Sequence, residues 1–202
     1  MRKEDYTIFE YRMSKEIKYA DLIYNEKMNG IFEKVCVKTK TAGYVDMSIY
    51  RPLSWDGKQI LKPVFNFHGG GNVLGYYEQD GKYCRLLADL TGCAIFNVDY
   101  VVAPEFKYPK PLFSSYEAIA EIRKRCDEVR IDKEHVVVMG HSAGGYISAC
   151  LTLIDRDSFF SIPPRQKRTR YQRSHFRLSA IATGNPCRIQ KSEGPFKGDI
   201  RK

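Results

Sequence analysis

Apolar residues alternate with polar ones at two different periods along the first 154 residues, which predicts strands followed by helices. The stretches "VCVKTK" and "YVDMSIY" have period two on either side of Ala42-Gly43, which predicts an antiparallel hairpin. Near-continuous apolar runs, typical of buried strands, follow at Pro63 to Phe67, Cys93 to Asp99 and His135 to Met139. Helical spacing separates these runs, near Gln79 to Leu90 and Leu112 to Val129. A hairpin that leads into a β-α-β series predicts a three-layer α/β fold with a mostly parallel sheet.

The two ends of the chain differ in pattern from this core. Residues 1–30 carry charges throughout, with apolar residues at helical spacing such as Ile8, Tyr11, Ile17 and Leu22. They contain no uninterrupted apolar run, which indicates a helical cap segment rather than a signal peptide or membrane anchor. Residues 155–202 lack sustained periodicity, apart from a short strand predicted at Leu178 to Thr183. We therefore expect a cap over 1–30, a core over 31–154 and a disordered basic tail over 155–202.

The net charge of +9 comes almost entirely from that tail. Residues 155–202 hold 12 Lys and Arg against 4 Asp and Glu, which leaves 21 against 20 in residues 1–154. The tail lacks interleaved aromatic residues and any nucleic-acid-binding motif, so a solvated segment is the favoured interpretation. We expect neither a membrane nor a nucleic acid as partner, although a non-catalytic protein that binds nucleic acid through this tail is an alternative of a different class.

Cysteine and histidine usage bears on compartment and cofactors. No C-x-x-C spacing occurs among the six cysteines at positions 36, 84, 93, 126, 150 and 187. Reduced thiols in a cytoplasmic protein are therefore expected. The four histidines have no carboxylate partners at ligand spacing, so we expect no catalytic metal and no cofactor. The sequence leaves the oligomeric state open.

The stretch "VVVMGHSAGGYISACL" places a serine between a predicted strand and a predicted helix. Gly140-His141-Ser142-Ala143-Gly144 fits a nucleophile elbow, the G-x-S-x-G turn that exposes a serine hydroxyl at the end of a strand. Gly140 and Gly144 would allow positive φ and a close approach of strand and helix. Because this pentapeptide arises by chance in roughly one chain in fifteen of this length, Ser142 needs a second signal to be a convincing nucleophile.

That second signal is His68-Gly69-Gly70-Gly71, which follows the predicted strand at Pro63 to Phe67. Attack of a serine on a carbonyl creates an oxyanion that requires preorganised N–H donors. Gly70 and Gly71 could turn their amides inward, and Ala143 would add a third donor at a helix start. A flexible loop or a phosphate cradle is the alternative, but neither the Walker spacing nor a G-x-G-x-x-G opening is present.

These motifs together resemble one known family. "HGGG" about seventy residues before "GHSAGG", with "NVDYVVAPEF" between them, resembles the hormone-sensitive-lipase-like carboxylesterases and acetyl esterases of the α/β-hydrolases. The resemblance covers roughly residues 30 to 154. It implies hydrolysis of short-chain carboxylic esters through an acyl-enzyme, with His68 and Gly69 supporting the oxyanion loop and His141 at the variable position of the elbow. Val101 stands where the family has an ion-pairing Arg, and Asn72 where it often has an aromatic residue.

The resemblance stops before the family's acid and histidine would appear. His175 is the only histidine after Ser142, and the intervening acids are Asp155 and Asp157. We do not expect these three residues to form a triad with Ser142, so the catalytic Asp and His stay unknown. A change of reading frame or gene boundary near residue 155 is our hypothesis for this pattern. It predicts an unpaired sheet edge beside the elbow strand and a very poor esterase. An amide or formamide hydrolase on the same fold is the second enzymatic alternative.

Overall fold

The computed structural model describes residues 7–15, 32–75, 77–156 and 177–183. The strands are β1 (Phe32–Thr39), β2 (Gly43–Tyr50), β3 (Pro63–Phe67), β4 (Ala94–Asp99), β5 (His135–His141) and β6 (Arg177–Thr183). The helices are α1 (residues 7–15), α2 (Gly81–Thr91), α3 (Lys110–Lys124), α4 (Cys126–Val129) and α5 (Ala143–Arg156). A single 3-10 turn, Tyr77–Asp80, precedes α2. The hairpin, the three buried strands and the helices between them are therefore confirmed, with ends shifted by a few residues.

The strands form one six-stranded sheet in the order β1-β2-β4-β3-β5-β6. Strands β1 and β2 are antiparallel to each other, and β2 is antiparallel to β4. From β4 to β6 the strands run parallel. This mixed sheet confirms the predicted arrangement, a mostly parallel sheet with an antiparallel hairpin at its N-terminal end.

Helices cover both faces of the sheet because its central strands are apolar on both sides. Successive residues of a strand point to opposite faces: Phe65 belongs to the buried cluster that includes Ile122 of α3 and Leu151 of α5. Its neighbour Val64 belongs to a second cluster, with Cys84 and Ala88 of α2. The Phe65 and Phe96 rings of adjacent strands stack at 4.7 Å between centroids. The helices thus form the two outer layers of the three-layer fold.

The helix predicted up to Val129 is interrupted at Arg125. The Arg125 N–H bonds to the Ile122 carbonyl at 3.0 Å, an i to i−3 contact that ends α3 with a tighter turn. The short helix α4 follows, and Arg130, with a φ of 56°, caps its C-terminal end. Val129 and Ile131, on either side of this cap, are buried in the core.

Strand β6 corrects one expectation for the tail. It pairs in parallel with β5 over seven residue pairs, from His135↔Arg177 to His141↔Thr183. The predicted strand at Leu178 to Thr183 is therefore confirmed. The expected disorder of residues 155–202 is wrong at residues 177–183. The expectation of an unpaired edge beside β5 is wrong for the same reason, because β6 pairs there. The segment "RLSAIAT" is rich in apolar and small residues, and its pairing satisfies the backbone groups that an open edge would expose.

The division into cap, core and tail otherwise stays a prediction. Residues 7–15 of the predicted cap are helical, and α5 extends two residues past the proposed core boundary at 154. The rest of residues 1–30 and most of the tail lie outside the described residues. Within the ranges described above, no helix is long and apolar enough to cross a membrane.

Candidate active site

The two glycine-containing motifs lie at one edge of the sheet because the strands that carry them are parallel neighbours. Phe67 of β3 pairs with Gly140 of β5, so the residues that follow both strands emerge side by side. Strand β5 ends at His141 and α5 begins at Ala143. Ser142 is the single residue between them. The carboxyl ends of parallel strands are the usual location of ligand sites in open α/β sheets.

Ser142 is exposed and has a φ of 52°, a left-handed conformation that non-glycine residues seldom adopt. The flanking glycines do not share this conformation, so the expectation of positive φ at Gly140 and Gly144 is wrong. Both positions require glycine because a Cβ atom would clash with neighbouring backbone. A Cβ on Gly144 would lie 1.8 Å from the Phe67 carbonyl oxygen, and one on Gly140 would lie 2.5 Å from the Gly144 carbonyl carbon. The elbow is therefore packed directly against the end of β3.

The HGGG loop requires its glycines for their backbone conformation. Gly70 has a φ of 128° and Gly71 a φ of 63°, and Asn72 continues with a φ of 59°. A Cβ on Gly70 would also lie 2.6 Å from Leu74 Cβ. Side chains at positions 70 and 71 would strain this turn.

Hydrogen bonds fix the direction of the Gly70 and Gly71 amides. In a trans peptide the N–H points away from the carbonyl of the preceding residue, so bonds to that carbonyl aim the amide. The Gly69 carbonyl accepts from His68 Nδ1 at 2.7 Å and from Gln79 Nε2 at 3.2 Å, which orients the Gly70 amide. The Gly70 carbonyl accepts the N–H groups of residues 73 and 74, both at 3.1 Å, which orients the Gly71 amide.

The Ala143 amide is oriented in the same way. The Ser142 carbonyl accepts the Tyr146 N–H at 3.1 Å, so the Ala143 N–H points away from the helix at its N-terminus. An N–H in the first turn of a helix has no intrahelical acceptor. Within the described residues, the Gly70 and Gly71 amides donate no hydrogen bond either. All three predicted oxyanion donors are thus fixed in direction and available to a ligand.

Ring stacking and a hydrogen bond from Tyr100 hold His68 at the start of the HGGG loop. Its ring is fully buried and stacks on Tyr100 at 4.3 Å, and the Tyr100 hydroxyl donates to the His68 carbonyl at 2.9 Å. Burial lowers the pKa of His68 to about 4, so the ring is neutral at physiological pH. A neutral ring whose Nδ1–H donates to Gly69 carries no proton on Nε2, and this atom has no partner in the part of the chain that the structure describes.

His141 contacts the HGGG loop directly. The Gly69 N–H donates to His141 Nε2 at 3.2 Å. A Cβ on Gly69 would lie 2.6 Å from that nitrogen, so the contact requires glycine at position 69. On the other side of the ring, His141 Nδ1 lies 3.6 Å from Asp80 Oδ2. The elbow and the HGGG loop are therefore joined one residue before Ser142.

A buried amide network that was not predicted from the sequence lies next to Asp80. Asn66 Nδ2 donates to Asp80 Oδ2 at 2.8 Å and to Asn97 Oδ1 at 2.9 Å. Burial raises the pKa of Asp80, while the Asn66 hydrogen bond and the nearby His141 oppose that shift. Asn66 and Asn97 interrupt two apolar strands, "PVFNF" and "AIFNVD", and are paired in register. This pair of polar residues in adjacent buried strands was the signal that could have revealed the network.

Helix α1 contributes a cation beside the site. Arg12 forms a two-pronged ion pair with Glu105, Nη1 to Oε1 at 2.7 Å and Nη2 to Oε2 at 2.8 Å. The same guanidinium donates to the carbonyl of Val73 at 2.5 Å and to that of Ala103. The Arg12 guanidinium lowers the pKa of Glu105. Glu105 therefore has an arginine partner although position 101 is valine, and this partner comes from the predicted cap.

The described residues do not supply a base for Ser142. No residue in the described ranges forms a hydrogen bond with Ser142 Oγ. Asp155 lies in α5, and Asp157 and His175 are outside the described residues. Nor does this part of the chain contain a group of three or more His, Cys, Asp or Glu side chains that could hold a metal ion.

Comparisons with known proteins show a family and relatives to which this chain is similar. A protein family described as "alpha/beta hydrolase fold" matches residues 64–169, about half of the chain. An arylesterase of Saccharolobus solfataricus is 30% identical over 152 residues, which cover 70% of this chain and 49% of that protein. An acetyl esterase of Salmonella paratyphi B is 26% identical over 134 residues, which cover 66% of this chain and 40% of that protein.

Solved structures show the same similarity. An esterase of Pyrobaculum calidifontis has a TM-score of 0.67 and 32% sequence identity, and the match covers 74% of this chain and 48% of that one. A thermostable carboxylesterase cloned from a metagenomic library has a TM-score of 0.69 and 29% identity, with 75% of this chain and 51% of that one covered. The chain thus spans about half the length of these solved esterases. The residues matched by the family, 64–169, contain both glycine-containing motifs of this chain.

Proposed function

The chain belongs to the alpha/beta hydrolase fold family, and from that membership we propose that it is a serine-dependent hydrolase of carboxylic esters. In this proposal Ser142 Oγ attacks the ester carbonyl and forms a tetrahedral intermediate. The intermediate expels the alkoxide or phenolate, which takes up the serine proton and departs as the alcohol, and leaves an acyl group on Ser142. Water then hydrolyses this acyl-enzyme to the carboxylic acid and free Ser142. The amides of Gly70, Gly71 and Ala143 donate to the oxyanion in both steps.

The observation that carries the proposal is the preorganisation of these three amides. Each is held by a hydrogen bond to the carbonyl of its own peptide unit, at Gly69, Gly70 and Ser142. Donors that are fixed before the substrate arrives need no reorganisation when negative charge develops. Removal of one such donor typically costs ~10²–10³ in kcat. The exposed Ser142 at positive φ supports the assignment of the nucleophile.

The substrate class is part of the proposal. The similar curated proteins are named arylesterase and acetyl esterase, which favours a small acyl group on an aryl or alkyl alcohol. An amide or formamide substrate would use the same nucleophile and the same oxyanion donors. The leaving group distinguishes them, because an amine must be protonated to depart whereas a phenolate can leave unassisted.

A matched substrate panel tests this function. The purified chain is incubated with p-nitrophenyl acetate, p-nitrophenyl butyrate and p-nitroacetanilide, which differ in acyl length or in ester against amide linkage. We expect release of p-nitrophenol from the esters above the rate with buffer alone and no cleavage of the anilide. Preferential cleavage of the anilide would favour the amide hydrolase. Cleavage of none of the three substrates, by a chain whose circular dichroism shows a folded α/β protein, would contradict the proposal.

A further inference from the structure

We propose that His141 is a positioning residue that holds the oxyanion loop through the Gly69 amide and releases it when the imidazole is protonated. This inference rests on the proposed function, since the loop matters to catalysis only if Gly70 and Gly71 bind an oxyanion. It goes further by assigning a task to the variable position of the elbow. The geometry that carries it is the bond from the Gly69 N–H to His141 Nε2 at 3.2 Å.

That bond defines the tautomer of His141. An imidazole nitrogen that accepts a hydrogen bond carries no proton, so the ring proton of neutral His141 is on Nδ1. Nδ1 faces the Asp80 carboxyl group at 3.6 Å, which is buried and hydrogen-bonded to Asn66. A carboxyl group on this side favours the tautomer with the proton on Nδ1. Asp80 thus keeps Nε2 available as an acceptor.

The position of Gly69 explains why this contact affects the oxyanion donors. Its carbonyl is held by His68 and Gln79, and its N–H by His141. With both ends of the residue fixed, the peptide unit that contains the Gly70 amide has no freedom to rotate. If His141 did not accept this bond, the Gly69 N–H would lose its own acceptor, and the bonds to the His68 and Gly69 carbonyls would remain.

Protonation removes the contact because an imidazolium ion has two donors and no acceptor. The imidazole ring is half-exposed, with 45% of its side-chain surface accessible, so solvent protons reach it. Two titratable groups on neighbouring elements face the His141 ring. They are Asp80, in the turn before α2, and His68, in the loop after β3. Asp80 attracts the imidazolium, and His68 is neutral. At acid pH the Gly69 N–H would face a positive ring, and the loop would move.

Two variants separate acceptance of the hydrogen bond from titration. His141→Gln places an amide oxygen near the position of Nε2, so it can still accept from Gly69 but does not titrate. His141→Leu fills similar space and accepts nothing. In the labelled protein, the Gly69 amide resonance and its hydrogen exchange report on the contact without any need for catalysis. The Phe65 and Phe96 amides serve as folding controls because both residues are fully buried.

We expect the wild-type Gly69 amide resonance to change together with the ring resonances of His141 when the ring is protonated, and that of His141→Gln to stay constant. In His141→Leu, exchange at Gly69 should be about threefold to tenfold faster, the effect of losing one neutral hydrogen bond, while Phe65 and Phe96 keep their protection. Two results would overturn the inference: a Gly69 resonance that does not change when the His141 ring is protonated, or one that changes with pH to the same extent in His141→Gln. Either result is decisive even if His141→Leu fails to fold.

Ester hydrolysis measured on the same samples separates this inference from the proposed function. If both hold, the rate falls with protonation of His141 in wild type and stays flatter with pH in His141→Gln. If the Gly69 amide behaves as expected but no variant cleaves an ester, the proposed function fails and the positioning contact stands. If the esters are cleaved at the same rate by all variants, and the resonance and exchange of the Gly69 amide do not change with the residue at position 141, the inference fails and the proposed function stands.

Discussion

A Cβ atom on Gly144 would lie 1.8 Å from the carbonyl oxygen of Phe67, so the first turn of α5 packs directly on the end of β3. This contact joins the two motifs of the candidate site through the backbone. The atoms that this Cβ would meet belong to the backbone of Phe67 and His68, so they cannot rotate away as a side chain could. The distance between the Ser142 turn and the HGGG loop is therefore set by the absence of a side chain at position 144.

Gly144→Ala should strongly destabilise the protein because β3 and α5 must move apart. Overpacking of this kind typically costs about 1–3 kcal/mol, and more where backbone blocks relaxation. We expect a loss of about 3 kcal/mol or more in the free energy of unfolding, measured by denaturant titration with circular dichroism. Gly57→Ala is the matched control. Gly57 has a φ of 79° with no atom within 4 Å of an added Cβ, so only conformational strain of about 1–2 kcal/mol applies. Equal losses in both variants would contradict the packing argument.

Asp99 should make the protein less stable as the pH rises towards neutrality. Burial, with a further contribution from the Glu78 and Asp46 charges, raises the pKa of Asp99 to about 7, against about 3.9 in an unfolded chain. Between these values the folded state keeps a proton that the unfolded state has lost, so the free energy of unfolding falls as pH rises from about 4 to about 7. Asp99→Asn should flatten this part of the stability profile.

Glu78→Gln provides a graded control for Asp99. It removes one of the charges that raise the Asp99 pKa, so the loss of stability with rising pH should shrink and shift to lower pH without disappearing. Denaturant midpoints at half-unit pH intervals measure all three proteins. An Asp99→Asn profile that parallels wild type between pH 4 and pH 7 would show that another group produces the dependence.

Arg12 should determine how firmly α1 is attached to the core. Its ion pair with Glu105 is partly exposed, and such pairs contribute about 0.2–1 kcal/mol. The bonds to the Val73 and Ala103 carbonyls add to this. In Arg12→Gln we expect amide exchange in residues 7–15 to be about tenfold faster, a change of about 1.4 kcal/mol in the free energy of opening. Lys15→Gln, on the same helix, removes a contact with the Tyr11 ring inside that helix and should change exchange little. Equal effects would refute a specific role for Arg12.

Turnover by the 202-residue chain should be far below that of ordinary enzymes. A serine hydroxyl is a weak nucleophile without a base, and no described residue hydrogen-bonds to Ser142 Oγ. Binding and the oxyanion donors alone would leave a residual ~10³–10⁴ over water. A kcat for p-nitrophenyl acetate of ~1–10³ per second, lost in His175→Ala, would contradict this expectation and identify His175 as the base.

Local patterns predicted the parts of the fold that depend on neighbouring residues. Alternation around Ala42-Gly43 predicted the hairpin, and the apolar runs predicted β3 to β5, because side-chain periodicity directly reflects burial on one face or both. The glycines of the two motifs predicted tight turns. Their individual tasks depended on three-dimensional packing, so the positive φ falls on Ser142 whereas Gly140 and Gly144 provide space.

Contacts between residues that lie far apart in the sequence could not be predicted from one sequence. Arg12 and Glu105 are 93 positions apart, and no local pattern relates a cap helix to a loop after β4. Gln79 and His141 likewise contact the HGGG loop only because the 3-10 turn before α2 and the end of β5 lie beside it in the fold. Isolated polar residues such as Asn66 indicate a buried partner, but a sequence does not say which partner.

The most direct test of the central claim, that Ser142 is the nucleophile of a preorganised acyl-transfer site, is peptide-level mass spectrometry after incubation with a fluorophosphonate probe. We expect a single adduct, which forms slowly, on the peptide that contains Ser142. Ser54→Ala, a change at an exposed serine in a turn outside the site, should label like wild type, and Ser142→Ala should not label. Equal labelling of Ser142→Ala and wild type, or no adduct on the Ser142 peptide, would contradict the account.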